Sequence, residues 1–216
     1  EAVFIFMSTN KVYGDNPNKL KFIEKKERWE LSKNNPYFNG IGESFSIDNC
    51  THSFFGVSKT YADLIVQEYG NNLGLKTVSF RAGCITGPNH RGAELHGFLS
   101  YLVKNSYFKK KYNFIGYKGK QVRDNLHSVD LIKCFWEYYK RPRPGKVYNI
   151  GGGRFSNCSI IEAINIFENL TNIEVKTKII KEPRVGDHIW YISNLKKFKI
   201  DYPKWKQNYN TKKIIE

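Results

Sequence analysis

Cysteine is scarce in this sequence and follows no pattern. Cys50, Cys84, Cys134 and Cys158 stand far apart, with no Cys-x-x-Cys pair and no metal-ligand spacing. That leaves neither a disulfide framework nor a metal site, and it points to a reduced, cytoplasmic protein. No apolar run approaches the roughly 20 residues that a membrane-spanning helix needs. The opening Val3-Phe4-Ile5-Phe6-Met7 is too short for a signal peptide and lacks a small-residue cleavage site. Also missing is the glycine-rich turn through which backbone N–H groups meet a pyrophosphate at a helix start. No Gly-x-Gly-x-x-Gly follows a strand pattern, and Gly151-Gly152-Gly153 comes late and lacks the spacing. Acidic residues are few, 20 against 35 lysines and arginines, which leaves a formal charge of +15.

That charge raises the question of a polyanionic partner. The lysines are spread along the chain among many asparagines, and the densest run, Lys109-Lys110-Lys111, forms no recognisable nucleic-acid module. The excess therefore reads as a solvated basic surface, with neither nucleic acid nor membrane as partner. Its potential would help recruit an anionic substrate. With 216 residues, 40% hydrophobic and 15% aromatic, the chain suffices for one sizeable core.

Residues 3–7, β-branched and aromatic, read as a strand buried on both faces that runs into Ser8-Thr9-Asn10. A polar connection through Pro17, Pro36 and Gly40-Ile41-Gly42 is expected to hold a short helix over 20–31. Val57, Tyr61, Leu64 and Ile65 recur at helical spacing and predict an amphipathic helix ending near 70–74, with Tyr61 in its core-facing stripe. Further strands are predicted over 76–81, 112–116, 121–126, 146–150 and 174–180, with helices over 98–103, 128–139 and 159–171 and an irregular loop over 83–97. Such alternation argues for an α/β fold with a parallel sheet. The chain opens inside what reads as a central strand, so it is expected to be the C-terminal portion of a longer protein.

Phe55 and Lys59, four residues apart, project from one face of a helix. With tyrosine at position 55 the segment would be Tyr-x-x-x-Lys, a proton-transfer pair. Three other segments accompany it in order: Ser8-Thr9-Asn10-Lys11-Val12-Tyr13-Gly14-Asp15, Gly119-Lys120-Gln121-Val122-Arg123-Asp124-Asn125-Leu126-His127, and Arg184-Val185-Gly186-Asp187. Together they resemble the extended short-chain dehydrogenases/reductases, the NAD-dependent epimerase/dehydratase family, over nearly the whole chain. The resemblance implies the C-terminal part of a Rossmann-type parallel sheet in residues 1–83. Residues 84–216 would form mainly the small α/β nucleotide-sugar-binding region, with some segments returning to the sheet.

A narrower resemblance lies in Thr9-Asn10-Lys11, in the run from Gly87 to Phe98, and in Gly116-Tyr117-Lys118-Gly119-Lys120-Gln121. These are similar to the CDP-tyvelose (CDP-paratose 2-) epimerases. The family's 4,6-dehydratases carry Asp-Glu after the threonine. Asn10 and Lys11 supply an amide and an ammonium there, which do not replace a carboxylic acid and a carboxylate base, and this counts against dehydration. The resemblance implies a retained NAD, transient oxidation to a keto-sugar and return of the hydride. In that scheme Thr9 orients the sugar hydroxyl. Lys59 holds the nicotinamide ribose, and Ser8 and Gly83 also meet the cofactor. Asn10, Lys11, Asn89 and His90 contact the substrate, a CDP-linked sugar, while Arg123, Arg184 and Asp187 belong to the grip on its diphosphate. Family members are often homodimers.

Two departures stand against full transfer. Phe55 exchanges no proton, and loss of a general acid/base costs about 10²–10⁴-fold in rate, or roughly 3–5 kcal/mol of barrier. Cys84 stands where many relatives carry an asparagine. An imidazole both donates and accepts near neutral pH, so His96 is the first candidate to replace the phenol and His90 the second. Glu94 lies on the same loop. The competing readings are a truncated or degenerate relative that binds nucleotide sugar without turnover, and a nucleotide-sugar dehydratase or reductase. On a plain structural reading Arg123 and Arg184 are surface arginines, His127 a structural histidine and Gly151–Gly153 a tight strand end, and Cys50, Cys134 and Cys158 are inert.

Overall fold

The computed structural model describes residues 2–94, 96–184 and 186–216, so Leu95 and Val185 of the quoted motifs lie outside the described residues. In chain order the elements are β1 (Phe4–Thr9), β2 (Phe22–Glu24), β3 (Trp29–Leu31), α1 (Phe54–Leu73), β4 (Thr77–Ala82), β5 (Cys84–Thr86), α2 (Phe98–Tyr107), β6 (Tyr112–Ile115), β7 (Val122–His127), α3 (Ser128–Lys140), β8 (Lys146–Ile150), β9 (Asn157–Ser159), α4 (Ile160–Thr171), β10 (Thr177–Ile180), β11 (Trp190–Tyr191), α5 (Lys196–Asp201) and α6 (Thr211–Ile215).

β1, β4 and β8 form a parallel sheet in the order β1-β4-β8. Every residue of β4 is buried, as a strand covered on both faces must be. Val78, Phe80, Tyr148 and Ile150 of this sheet share a core with Leu131, Cys134 and Tyr138 of α3 and Phe198 of α5. α1 is the crossover from β1 to β4. Ser53 Oγ caps its start by accepting from Gly56 N, and Gly74 closes it in the left-handed region at φ 67°. Beyond this sheet, β7 pairs in parallel with β5 and β11 and antiparallel with β9. β6 and β10 form a parallel pair, and their region shares a core with α2, α4 and α6.

The α/β class and the parallel sheet match the sequence expectation, and four local expectations are corrected. Residues 20–31 hold the antiparallel hairpin β2–β3 rather than a helix, closed by Lys25 N donating to Arg28 O. The loop over 83–97 contains β5. β1 is not covered on both faces as its apolar run suggests, for Phe4 is exposed and Ile5, Phe6 and Met7 are half-buried.

The fourth correction concerns α1, whose apolar stripe faces outward. Tyr61 is 70% exposed rather than core, and Val57, Leu64 and Ile65 are exposed as well. The inward face is Gly56, Asp63, Val66 and Gly70. Close approach selects small residues there, since a Cβ on Gly70 would run into the backbone of Gly145. Asp63 is admitted because its two oxygens accept from Arg81 Nε and Nη2 at 3.1 and 3.0 Å. Arg81 Nη1 also donates to Tyr13 Oη, and Tyr13 Oη donates to Asn149 Oδ1 at 2.8 Å. This buried network joins α1, β4, β8 and the turn after β1. Among the described residues no helix is long and apolar enough to cross a membrane.

Candidate active site

The site forms where β1 ends. Thr9 is extended (φ −147°, ψ 157°) and its Oγ1 accepts from Lys11 N at 3.2 Å, capping the 3-10 turn Asn10–Tyr13. The buried Ser8 Oγ has no hydrogen-bond partner. α1 begins against this strand end, and a Cβ on Gly56 would stand 2.9 Å from Lys11 O. One turn on, Lys59 Nζ donates to Met7 O at 2.9 Å and lies 4.9 Å from the Phe6 ring centre and 6.0 Å from that of Phe55. Phe55 and Lys59 therefore lie together at the end of β1, the strand that Thr9 closes.

Three cations converge beside them on one carboxylate. Asp187 Oδ1 accepts from Arg123 Nη2 at 2.6 Å and lies 3.7 Å from Lys11 Nζ, and its Oδ2 lies 3.4 Å from Arg184 Nη2. Lys11 Nζ also donates to Gly186 O at 2.8 Å, and Arg123 donates to His188 O. Burial raises the proton affinity of Asp187, but Arg123, Lys11 and Arg184 outweigh it and hold the carboxyl well below the usual carboxylate range. Burial, with Arg123 alongside, brings Lys11 down to about 8. Cys84 is pushed up to about 11 by burial and stays a neutral thiol. Gly186 packs near Ser53, so this cluster and the start of α1 are contiguous.

His188 was not singled out by sequence, although it directly follows the Arg-x-Gly-Asp motif. It is buried, its Nε2 donates to Gly14 O at 2.8 Å, and burial followed by Lys11 and Arg123 keeps the ring neutral. Asp124 was likewise quoted in a motif without a role. Its Oδ2 accepts from Gly153 N and Ser193 N, both at 2.9 Å, and burial raises its pKa to about 6. Gly83 and Gly151 crowd this carboxylate so closely that a Cβ on either would collide with it. His127 caps α3 by accepting from Val129 N and stacks on Tyr209 at 4.0 Å, a structural role.

The loop residues are placed apart from that cluster. Asn89 is exposed in the turn Gly87–His90. His90 Nδ1 lies 3.1 Å from Ser100 Oγ, and burial followed by the neighbouring His96 lowers its pKa. His96 is exposed, with its ring edge-on to His90 at 5.9 Å. Among the described residues no recorded contact joins His96 to Thr9, Phe55 or Lys59. No group of three His, Cys, Asp or Glu side chains among them is placed to hold a metal.

The profile of the NAD dependent epimerase/dehydratase family matches residues 41–151. The CDP-paratose 2-epimerase of Salmonella typhi is 31% identical over 201 residues, covering 89% of this chain and 57% of that protein. The dTDP-D-glucose 4,6-dehydratase of Dictyostelium discoideum is 31% identical over 163 residues, covering 74% of this chain and 34% of that protein. Among solved structures, dTDP-glucose 4,6-dehydratase from Bacillus anthracis in complex with NAD superimposes with a TM-score of 0.72 at 22% identity, covering 99% of this chain and 59% of that one. UDP-glucuronic acid 4-epimerase from Bacillus cereus, in complex with UDP-glucuronic acid and NAD, gives 0.72 at 19% identity, covering 98% and 58%. The chain thus spans little more than half the length of these relatives, or less.

Proposed function

Because the chain belongs to the NAD-dependent epimerase/dehydratase family, we propose that it forms the substrate-binding portion of a nucleotide-sugar epimerase of the CDP-paratose 2-epimerase type. One observation carries the reading. Where elimination needs two carboxyl groups after the threonine, this chain places Asn10 and Lys11, and the Lys11 ammonium joins Arg123 and Arg184 around Asp187. Such a site favours an anionic substrate and offers no acid–base pair for loss of water.

The residues present fit one end of NAD. The unpartnered Ser8 Oγ and the Lys59 ammonium, both at the end of β1, suit a nicotinamide ribose, and no glycine-rich turn is at hand for the pyrophosphate. When bound, NAD supplies a hydride acceptor and donor. Thr9 would orient the sugar hydroxyl through the acceptor site its Oγ1 has left, since that oxygen accepts from Lys11 N and donates to Asn10 Oδ1 at 3.4 Å. Arg123 and Arg184 would hold the diphosphate, with charge-assisted hydrogen bonds fixing the sugar against the strand end. In this reading His96 takes and returns the hydroxyl proton, which requires the bound sugar to draw its loop toward Thr9, while His90 is anchored to Ser100 behind it.

The Phe55 ring beside Lys59 favours a second reading, nucleotide-sugar binding without turnover. Denaturing the purified chain and quantifying released NAD(H), together with an assay for CDP-paratose and CDP-tyvelose interconversion, separates the two. Cofactor and turnover support the epimerase, whereas nucleotide-sugar binding with neither supports the second reading.

A further inference from the structure

We propose that Lys11 is a third diphosphate-binding cation beside Arg123 and Arg184, and that its charge state makes nucleotide-sugar binding proton-linked. The inference rests on the reading of this site as one for a nucleotide sugar. The geometry carries it. Lys11 comes from the turn after β1, Arg123 from β7 and Arg184 from the segment before β11, and all three ammonium or guanidinium groups meet the single carboxylate of Asp187. Three cations and one carboxylate leave two positive charges, which is the charge complement of a diphosphate diester. Asp187 already uses Oδ1 to accept from Arg123 Nη2 and from His188 N, so it gathers the cations while offsetting only one of their charges.

The proton linkage follows from what faces Lys11. Arginine side chains do not deprotonate in proteins, so Arg123 and Arg184 stay charged. Asp187 is held ionised, Cys84 stays a neutral thiol to about 11, and the buried His188 stays neutral. Lys11, brought down to about 8, is the group of this set that titrates between pH 7 and 10. A bound dianion favours the ammonium and raises its proton affinity, so binding above pH 8 takes up a proton. The diester itself does not titrate in this range.

Isothermal titration of the chain with CDP-glucose and UDP-glucose tests this between pH 7 and 9.5, in buffers of different ionisation heat. Wild-type affinity is expected to fall above pH 8 by up to about threefold per pH unit, with uptake of about half a proton near pH 8.5, the linkage that corresponds to a roughly tenfold contribution of the Lys11 charge. Lys11→Arg is expected to bind with a flat profile, and Lys11→Met to bind about tenfold more weakly at pH 7 with no proton uptake. If nucleotide sugar binds but Lys11→Arg keeps the slope, or Lys11→Met binds as wild type does, the inference is overturned and the reading of the site stands. Binding of inorganic pyrophosphate alone, with the same dependence on Lys11, would support the inference and overturn the nucleotide-sugar reading. No binding of any of the three would overturn both.

Discussion

The Lys59 ammonium faces the Phe55 ring at 6.0 Å and the Phe6 ring at 4.9 Å, so a cation–π environment stands where a phenol would face a lysine. Lys59 is steered to Met7 O as well, and its placement does not depend on a hydroxyl at position 55.

Phe55→Tyr therefore adds the missing proton carrier without moving its neighbour. If proton transfer limits the reaction, turnover of CDP-paratose is expected to rise by about 10²–10⁴-fold. Steady-state kinetics on NAD-loaded protein measure this, and an unchanged rate would mean that another group already moves the proton.

His96→Gln tests that other group. Where Phe55→Tyr leaves the rate unchanged, turnover of His96→Gln is expected to fall by about 10²-fold or more with little change in KM, while nucleotide-sugar affinity by titration stays the same. Equal turnover in wild type and variant would remove His96 from the reaction.

Asp63→Asn strands a buried guanidinium that also supports Tyr13 and, through it, Asn149. A loss of about 3–5 kcal/mol is expected in urea unfolding. Replacing both partners, Asp63→Leu with Arg81→Met, is expected to recover much of that loss, because no buried charge is then left alone.

Asp124 sets a pH dependence of stability with a defined sign. Its pKa is raised by burial to about 6, above the 3.8 of an aspartate in water. The folded chain therefore holds a proton that the unfolded chain has released, and stability from this group is lost as pH rises from about 4 to about 6. On the order of 3 kcal/mol is involved. Unfolding curves at pH 4, 5, 6 and 7 should show wild type losing ground to Asp124→Asn across that window, and parallel curves would refute it.

Much of the sheet was legible because β1 is a short apolar run and β4 and β8 carry β-branched and aromatic residues at Val78, Phe80, Val147, Tyr148 and Ile150. α3 was legible from its spacing. α1 was recognised, but its inward face was not. Apolar periodicity pointed to Tyr61, while the packing chose glycines and an aspartate whose arginine lies 18 residues away. The pairing of β6 with β10 joins segments too distant for local pattern to register. At the site, motif order named Thr9, Lys11, Lys59, Arg123, Arg184 and Asp187 as candidates, and the fold brings Lys11, Arg123 and Arg184 onto Asp187 and sets Lys59 against the end of β1. Asp124 and His188 escaped because their roles depend on backbone donors and carbonyls, Gly153, Ser193 and Gly14, that sequence alone does not bring near.

Among the described residues β1 pairs along one edge only, with β4, and the exposed Phe4 lies with Ile65, Tyr69, Leu73 and Leu75 along one apolar cleft. An unpaired strand edge beside exposed apolar side chains is adhesive. The isolated chain should therefore change its sedimentation behaviour with concentration, and a single lysine placed at Phe4 should suppress that change while leaving the cation cluster on Asp187 untouched.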